Sequence, residues 1–194
     1  MFIDFLTMIM INLVAGSFLL AYYLWKGIDE ADQRPYAAAF FGVGLLAFIA
    51  GLQLSFNWPL PGSYNVGYGD TTTLFGIVFL ATALALWQGW SLTPVAIYAF
   101  FAGLDALIVG VRILSLGLTK EPVVSAIGFI FAGLGGMGAA PFFLWFRENR
   151  MLRMLGALMM LGVAVLWAIA FYNALWGHLE SFGSWVPATM GGGG

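Results

Sequence analysis

The chain has 194 residues, of which 62% are hydrophobic and only 8% are charged, whereas soluble domains carry roughly 25% charged residues. A chain with so little charge cannot face water on all sides, so a lipid bilayer is its expected surroundings. The formal net charge of -2 offers no basic surface for nucleic acid. The lack of cysteine and the single histidine exclude disulfides, iron–sulfur ligation and the usual zinc motifs.

Six apolar segments predict an all-α fold, an integral membrane helical bundle of about six transmembrane helices. Each segment is long enough to cross a hydrocarbon core of about 30 Å. The predicted spans are residues 5–25, 35–56, 71–90, 94–116, 122–145 and 151–176. We expect a single transmembrane helical domain over residues 1–190, followed by a flexible glycine tail at residues 191–194.

The basic residues predict how the bundle is oriented. They concentrate in the connections after the first and the fifth span, at Lys26, Arg34, Arg147, Arg150 and Arg153. With six crossings these two connections lie on the same side, and positive charge is retained on the cytoplasmic face. The sequence therefore predicts a multi-pass protein of the cell (cytoplasmic or inner) membrane with both termini outside.

Residues 55–76, SFNWPLPGSYNVGYGDTTTLFG, form the one long break between apolar runs. The prolines and glycines predict a compact outer loop from Trp58 to Asp70, with Trp58, Tyr64 and Tyr68 at the membrane interface. Asp70 is expected to cap the next helix at Thr71, because a carboxylate accepts hydrogen bonds from free N–H groups at a helix start. Such a loop could also cover a cavity or bind a partner.

Val66-Gly67-Tyr68-Gly69-Asp70 within this loop resembles the selectivity-filter motif of potassium channels, whose carbonyl groups replace the hydration shell of the ion. Asn65 stands where that family has threonine, and the preceding prolines leave no room for a pore helix. Ion permeation is accordingly a minor alternative for the function.

A longer resemblance rests on the run from Trp58 to Asn65, WPLPGSYN, together with Gly69-Asp70 and the Leu-Phe-Gly that ends at Gly76. These residues resemble the signature of an uncharacterised family of prokaryotic and archaeal multi-pass membrane proteins, the domain of unknown function 981. The resemblance implies a membrane bundle. It supplies no reaction, ligand or catalytic residue.

Asp105 is an acid near the middle of the fourth span, where an ionised carboxylate costs at least about 2.5 kcal/mol. It should face the bundle or a cavity, either as a proton, cation or ligand contact or as a structural acid satisfied by Asn12 or Gln53. Arg112 lies on nearly the same helix face, about 10 Å further along the axis, and can extend to the outer interface.

Small residues at four-residue spacing in the fifth span, Gly128, Ala132, Gly136 and Ala140, predict a helix-packing face. Intramolecular packing is favoured over a subunit interface. Pro141 follows this face and should kink the span or release a carbonyl group near its cytoplasmic end. His178 and Glu180 are expected in a solvated tail beyond the last helix, without a metal.

No catalytic constellation is evident, so an enzyme that uses Asp105 for acid–base work is a minor alternative, and the sequence leaves the cofactor unknown. The favoured function is a structural or accessory subunit of a membrane complex. The alternative is a carrier or binding protein for a small or lipophilic molecule that uses Asp105 and the Trp58 to Asp70 loop. The expected partners are the lipid bilayer and either other membrane subunits or further copies of the chain.

Overall fold

The protein is a bundle of six long helices. The computed structural model describes residues 5–60 and 62–180. The helices are α1 (Phe5–Trp25), α2 (Pro35–Asn57), α3 (Tyr64–Gln88), α4 (Thr93–Leu116), α5 (Pro122–Pro141) and α6 (Arg150–Glu180). All six are long and apolar enough to cross a membrane, and the described residues contain no strand. The predicted all-α membrane bundle is confirmed, and the chain is a multi-pass membrane protein in a lipid bilayer. The glycine tail lies outside the described residues.

Proline and glycine mark the ends of several helices. The first helical positions of α2, α4 and α5 are occupied by Pro35, Pro94 and Pro122. Proline has no N–H group, and at these positions no carbonyl group within the helix needs one. Gly89 and Gly117 follow α3 and α4 with left-handed backbone angles, φ 69° and φ 63°. These two positions need glycine because a side chain would strain the backbone there.

Helix α3 begins at Tyr64, well before the predicted start at Thr71. The prediction of an outer loop from Trp58 to Asp70 is therefore wrong, because the loop is shorter. Residues 66–70 are helical, and Asp70 lies inside α3 instead of capping it. Its carboxylate accepts a hydrogen bond from the Ser55 hydroxyl of α2 at 2.7 Å. The likeness to a selectivity filter is also overturned, because the carbonyls of Gly67 and Gly69 accept hydrogen bonds from threonines within the helix.

The short connection between α2 and α3 is held by Asn65, whose side chain is fully buried. Its Oδ1 accepts the Leu60 N–H at 2.8 Å, and its Nδ2 donates to the carbonyls of Leu60 and Gly62. One amide side chain thereby provides hydrogen-bond partners for backbone groups that would otherwise have to bond to water. This clamp lets the helix begin at Tyr64 despite the glycines that follow.

The six helices form a closed ring. Each helix packs on its neighbour in the sequence, and α6 packs on α1. The closest approaches are between α2 and α3 and between α4 and α5. In the first pair a Cβ on Gly51 would lie 2.5 Å from the Thr73 backbone nitrogen, and a Cβ on Gly76 would lie 2.5 Å from that of Phe48. Glycine is required because the two backbones touch.

Helix α4 crosses α5 through glycines on both sides. A Cβ on Gly103 would lie 2.5 Å from the Gly133 carbonyl oxygen, and one on Gly136 would lie 2.9 Å from that of Ala99. Two other residues of the predicted face have different neighbours. Gly128 accommodates the Trp167 ring of α6, which would lie 3.2 Å from a Cβ at that position, and Ala132 lines an internal cavity.

The regular part of α5 ends at Pro141 and continues as one π-helical turn, Phe142–Phe146. A proline within a helix removes one N–H donor and obstructs the preceding turn, and π-turns are a known way to absorb such a break. At Pro141 the structure therefore shows a change from α-helix to a π-turn. Helix α6 extends to Glu180 and includes His178. The expectation that these two residues lie beyond the last helix is therefore wrong.

Candidate functional site: a central cavity closed by aromatic rings

A cavity of about 120 Å³ lies in the centre of the ring, and residues from all six helices line it. Most of its wall is aliphatic or aromatic. Four lining side chains carry an N–H or O–H group: Ser17, Tyr23, Thr82 and Trp167. No charged side chain of the described residues lines it. The space is therefore suited to a small neutral molecule, because a bare ion would find nothing there to replace its hydration shell.

Aromatic rings close the end of the cavity that is nearest to the basic connections, which we call the basic end. Tyr23 and Phe40 meet edge to face with centroids 5.7 Å apart, and Phe40 stacks on Phe79 at 5.7 Å. Tyr23 and Phe40 are both buried. Such contacts contribute about 0.5–1.5 kcal/mol each beyond the burial of area, so they stabilise the packing of these rings.

Residues 26–34 cover the basic end as a folded segment. The Tyr23 hydroxyl donates to Gln33 Oε1 at 2.6 Å, and Gln33 Nε2 donates to the Ile28 carbonyl at 3.0 Å. Asp29 accepts two hydrogen bonds from Arg153 of α6. This ion pair holds the carboxyl pKa of Asp29 below its usual value, because the guanidinium favours the charged form.

A second aromatic cluster closes the opposite end, which we call the distal end. Tyr68, Phe129 and Trp167 are all at most 4% exposed. Their ring centroids lie 5.1 Å apart for Tyr68 and Phe129, and 5.4 Å apart for Phe129 and Trp167. Tyr64 stacks on Tyr68 from outside at 5.9 Å. Because Trp167 also lines the cavity, this cluster separates the cavity from the distal surface.

Asp105 does not line the central cavity. It is half-buried in α4, and its Oδ2 is buried without a hydrogen-bond partner among the described residues. Asn12, one of its two expected partners, donates instead to the Val43 carbonyl at 2.9 Å.

The remaining sequence candidates lie at the distal end. Arg112, Tyr64 and Tyr68 line a lateral groove between α3 and α4. Trp58 follows α2 with a left-handed backbone and is half exposed. The predicted site residues therefore do not converge on one pocket. Among the described residues no three His, Cys, Asp or Glu side chains converge as metal ligands.

The sequence reasoning missed the central cavity. Ser17 and Thr82 are polar residues inside apolar spans, and this signal could have pointed to an internal space. Tyr23, Phe40 and Trp167 carry no such signal, because aromatic residues are common throughout these spans.

Comparisons with known proteins matched the chain to a family and to a solved structure. The model of a family described as "Protein of unknown function (DUF981)" matches residues 1–181. A solved structure of the Helicobacter pylori urea channel in its closed state, determined by cryo-electron microscopy, is similar with a TM-score of 0.67. The two sequences are 19% identical, and the match covers 93% of this chain and 100% of the urea channel chain. No curated protein matches the sequence significantly.

Proposed function

Because the chain belongs to the DUF981 family of proteins of unknown function and its fold is that of a urea channel, we propose that it conducts small uncharged solutes across the membrane. The path is the centre of the six-helix ring, between the basic end and the distal end. We further propose that it works in the cell membrane and forms homo-oligomers.

The cavity is the observation that carries the proposal. It is lined by every helix of the ring and by no charged side chain of the described residues. An engineered cavity of about 150 Å³ in another protein binds benzene, so a space of about 120 Å³ suits a solute of a few heavy atoms. Few polar groups line it, so a solute is bound weakly and can leave, as conduction requires.

Both ends of the cavity are closed by aromatic rings, and we interpret this as the closed conformation of the pathway. The Tyr23, Phe40 and Phe79 cluster stands at the basic end, and the Tyr68, Phe129 and Trp167 cluster stands at the distal end. Conduction then requires these rings to rotate or separate.

Stopped-flow light scattering of proteoliposomes tests the proposal. Urea, formamide and acetamide should enter faster than they enter protein-free vesicles, whereas guanidinium and potassium ions should not. The variant Ala132→Phe fills the cavity and should abolish the increase. Gly138→Phe is its matched control on the same helix, because a Cβ on Gly138 meets nothing within 4 Å. Equal permeability of protein-containing and protein-free vesicles would refute the proposal.

The accessory-subunit function that the sequence favoured makes a different prediction. Within the small-residue face, Gly136 packs on α4 and Gly128 packs on α6 of the same chain. Less of that face is then available to another subunit. Mild solubilisation followed by size-exclusion chromatography separates the two hypotheses, because an accessory subunit should co-purify with other membrane proteins.

A further inference from the structure

The lateral groove between α3 and α4 is a second cavity, with a volume of about 190 Å³. Its walls come from the first two turns of α3, the last turns of α4 and the connection that follows α4. Gly67 leaves space on the α3 side, because the nearest atom to a Cβ there is Val109 Cγ1 at 3.4 Å. Tyr68, which belongs to the distal aromatic cluster, forms the inner wall of the groove and lies between it and Phe129.

The groove is polar at one end and apolar along its length. Arg112 is the one charged residue in its wall, and the hydroxyl groups of Ser63 and Thr119 are at the same end. Apolar side chains line the rest of the groove, among them Val66, Ile108 and Val109. Among the described residues the ion pairs involve Arg34 and Arg153, and the guanidinium of Arg112 has no carboxylate partner.

The position of Arg112 along the helix matches the depth of a lipid headgroup. It lies four residues before the end of α4 at Leu116, which is about 6 Å of helix rise. Val66 and Ile108 are 43% and 55% exposed, so the groove is open on the outer surface of the ring. The unpaired guanidinium of Arg112 at headgroup depth, next to an open apolar groove, is complementary to a molecule with an anionic head and a hydrocarbon chain.

We propose that the α3–α4 groove is a binding site for one anionic phospholipid. The phosphate is bound by Arg112 through charge-assisted hydrogen bonds, with the hydroxyls of Ser63 and Thr119 beside it. One acyl chain lies against Val66, Ile108 and Val109. The proposal does not depend on solute conduction, because the groove is separate from the central cavity.

Native mass spectrometry of the purified protein in a neutral detergent tests the site, with phosphatidylglycerol and phosphatidylcholine as probes. Arg112→Gln should weaken phosphatidylglycerol binding about tenfold, the loss expected when about 1.4 kcal/mol of charge-assisted hydrogen bonding is removed. Lys120→Gln is the matched control at the same end of the bundle. It removes the same charge outside the groove and should leave binding unchanged.

A second variant tests the apolar part. Gly67→Leu fills the groove and retains Arg112, so it too should lose the lipid while keeping the monodisperse elution of the wild type. Equal binding of phosphatidylcholine, or undiminished phosphatidylglycerol binding by Arg112→Gln, would overturn the proposal. Displacement of the lipid by inorganic phosphate would show an anion site only, and would also overturn it.

Discussion

Asp105 shares a face of α4 with Val109 and Arg112, two residues of the lateral groove. It is therefore directed away from the central cavity, although its position in the middle of a span made it the leading candidate in the sequence. Its buried Oδ2 has no hydrogen-bond partner among the described residues. A carboxylate in that position costs stability, and the conduction pathway that we propose does not use it.

We expect Asp105→Asn to keep urea permeability within about twofold of the wild type, a difference of about 0.4 kcal/mol in the barrier. The melting temperature in detergent should rise, because an acid without a partner is replaced by a neutral side chain of the same shape. Stopped-flow permeability and thermal unfolding measure the two effects. Abolished uptake with an unchanged melting temperature would favour a carrier that uses Asp105.

Asn65 shows how one residue can set the boundary of an element. The sequence before it contains prolines and the sequence after it contains glycines, a pattern typical of a loop. The buried amide instead closes the connection in six residues and starts α3 at Tyr64. The hydrogen bonds of a single side chain cannot be inferred from local composition, because they depend on where the chain turns.

At the scale of the helices, the α4–α5 crossing depends on the absence of side chains. Gly103→Ala should destabilise the protein by about 1–3 kcal/mol, because its Cβ would overlap the α5 backbone at 2.5 Å and force the helices apart. Thermal unfolding in detergent measures the change. Gly138→Ala is the control in α5, where open space surrounds the Cβ. We expect it to be neutral or slightly stabilising, because alanine favours helix.

The pair of Asp29 and Arg153 ties the segment between α1 and α2 to the start of α6. Asp29→Asn should increase hydrogen exchange of residues 27–34 at neutral pH, because the carboxylate that accepts both hydrogen bonds is lost. Asp32→Asn is the control. Asp32 pairs with Arg34 in the same segment at 2.8 Å, so its removal does not detach the segment from α6.

The same pair predicts a pH dependence. Arg153 lowers the pKa of Asp29, so the stabilisation is fully present above the ordinary carboxyl pKa of about 4 and is lost as the pH falls through the lowered value. The protection factors of residues 27–34 in the wild type, which correct the exchange rates for their intrinsic pH dependence, should therefore fall below about pH 4 and remain constant between neutral pH and that point. Asp29→Asn should show no such transition.

For the whole molecule, the distribution of Lys and Arg predicts that the basic end is cytoplasmic. The chain has no cysteine, so single-cysteine variants can be labelled without a background. A membrane-impermeant maleimide added to intact cells should label Lys120→Cys at the distal end and should not label Glu148→Cys at the basic end. The reverse pattern would invert the bundle and place both termini inside.

The sequence by itself determined the class of the protein and most of its helices. A chain with 62% hydrophobic residues has too little polar surface for water, and spans of at least 20 residues follow from the thickness of a bilayer. Proline at the starts of α2, α4 and α5 acts locally, so those starts could be predicted. The family resemblance in the Trp58 to Gly76 region is also confirmed, because the family model covers residues 1–181.

Only the tertiary structure decided where the internal space lies. The rings at its ends come from different helices, such as Tyr23 with Phe40 and Tyr68 with Trp167, and in a chain with 17% aromatic residues no local pattern distinguishes them. All six helices are apolar on every side because lipid surrounds the bundle, so hydrophobic periodicity does not reveal which side faces the centre. Helices α2 and α3, and likewise α4 and α5, approach closely because glycines leave room for the facing backbone, and these contacts exist only once the chain has folded.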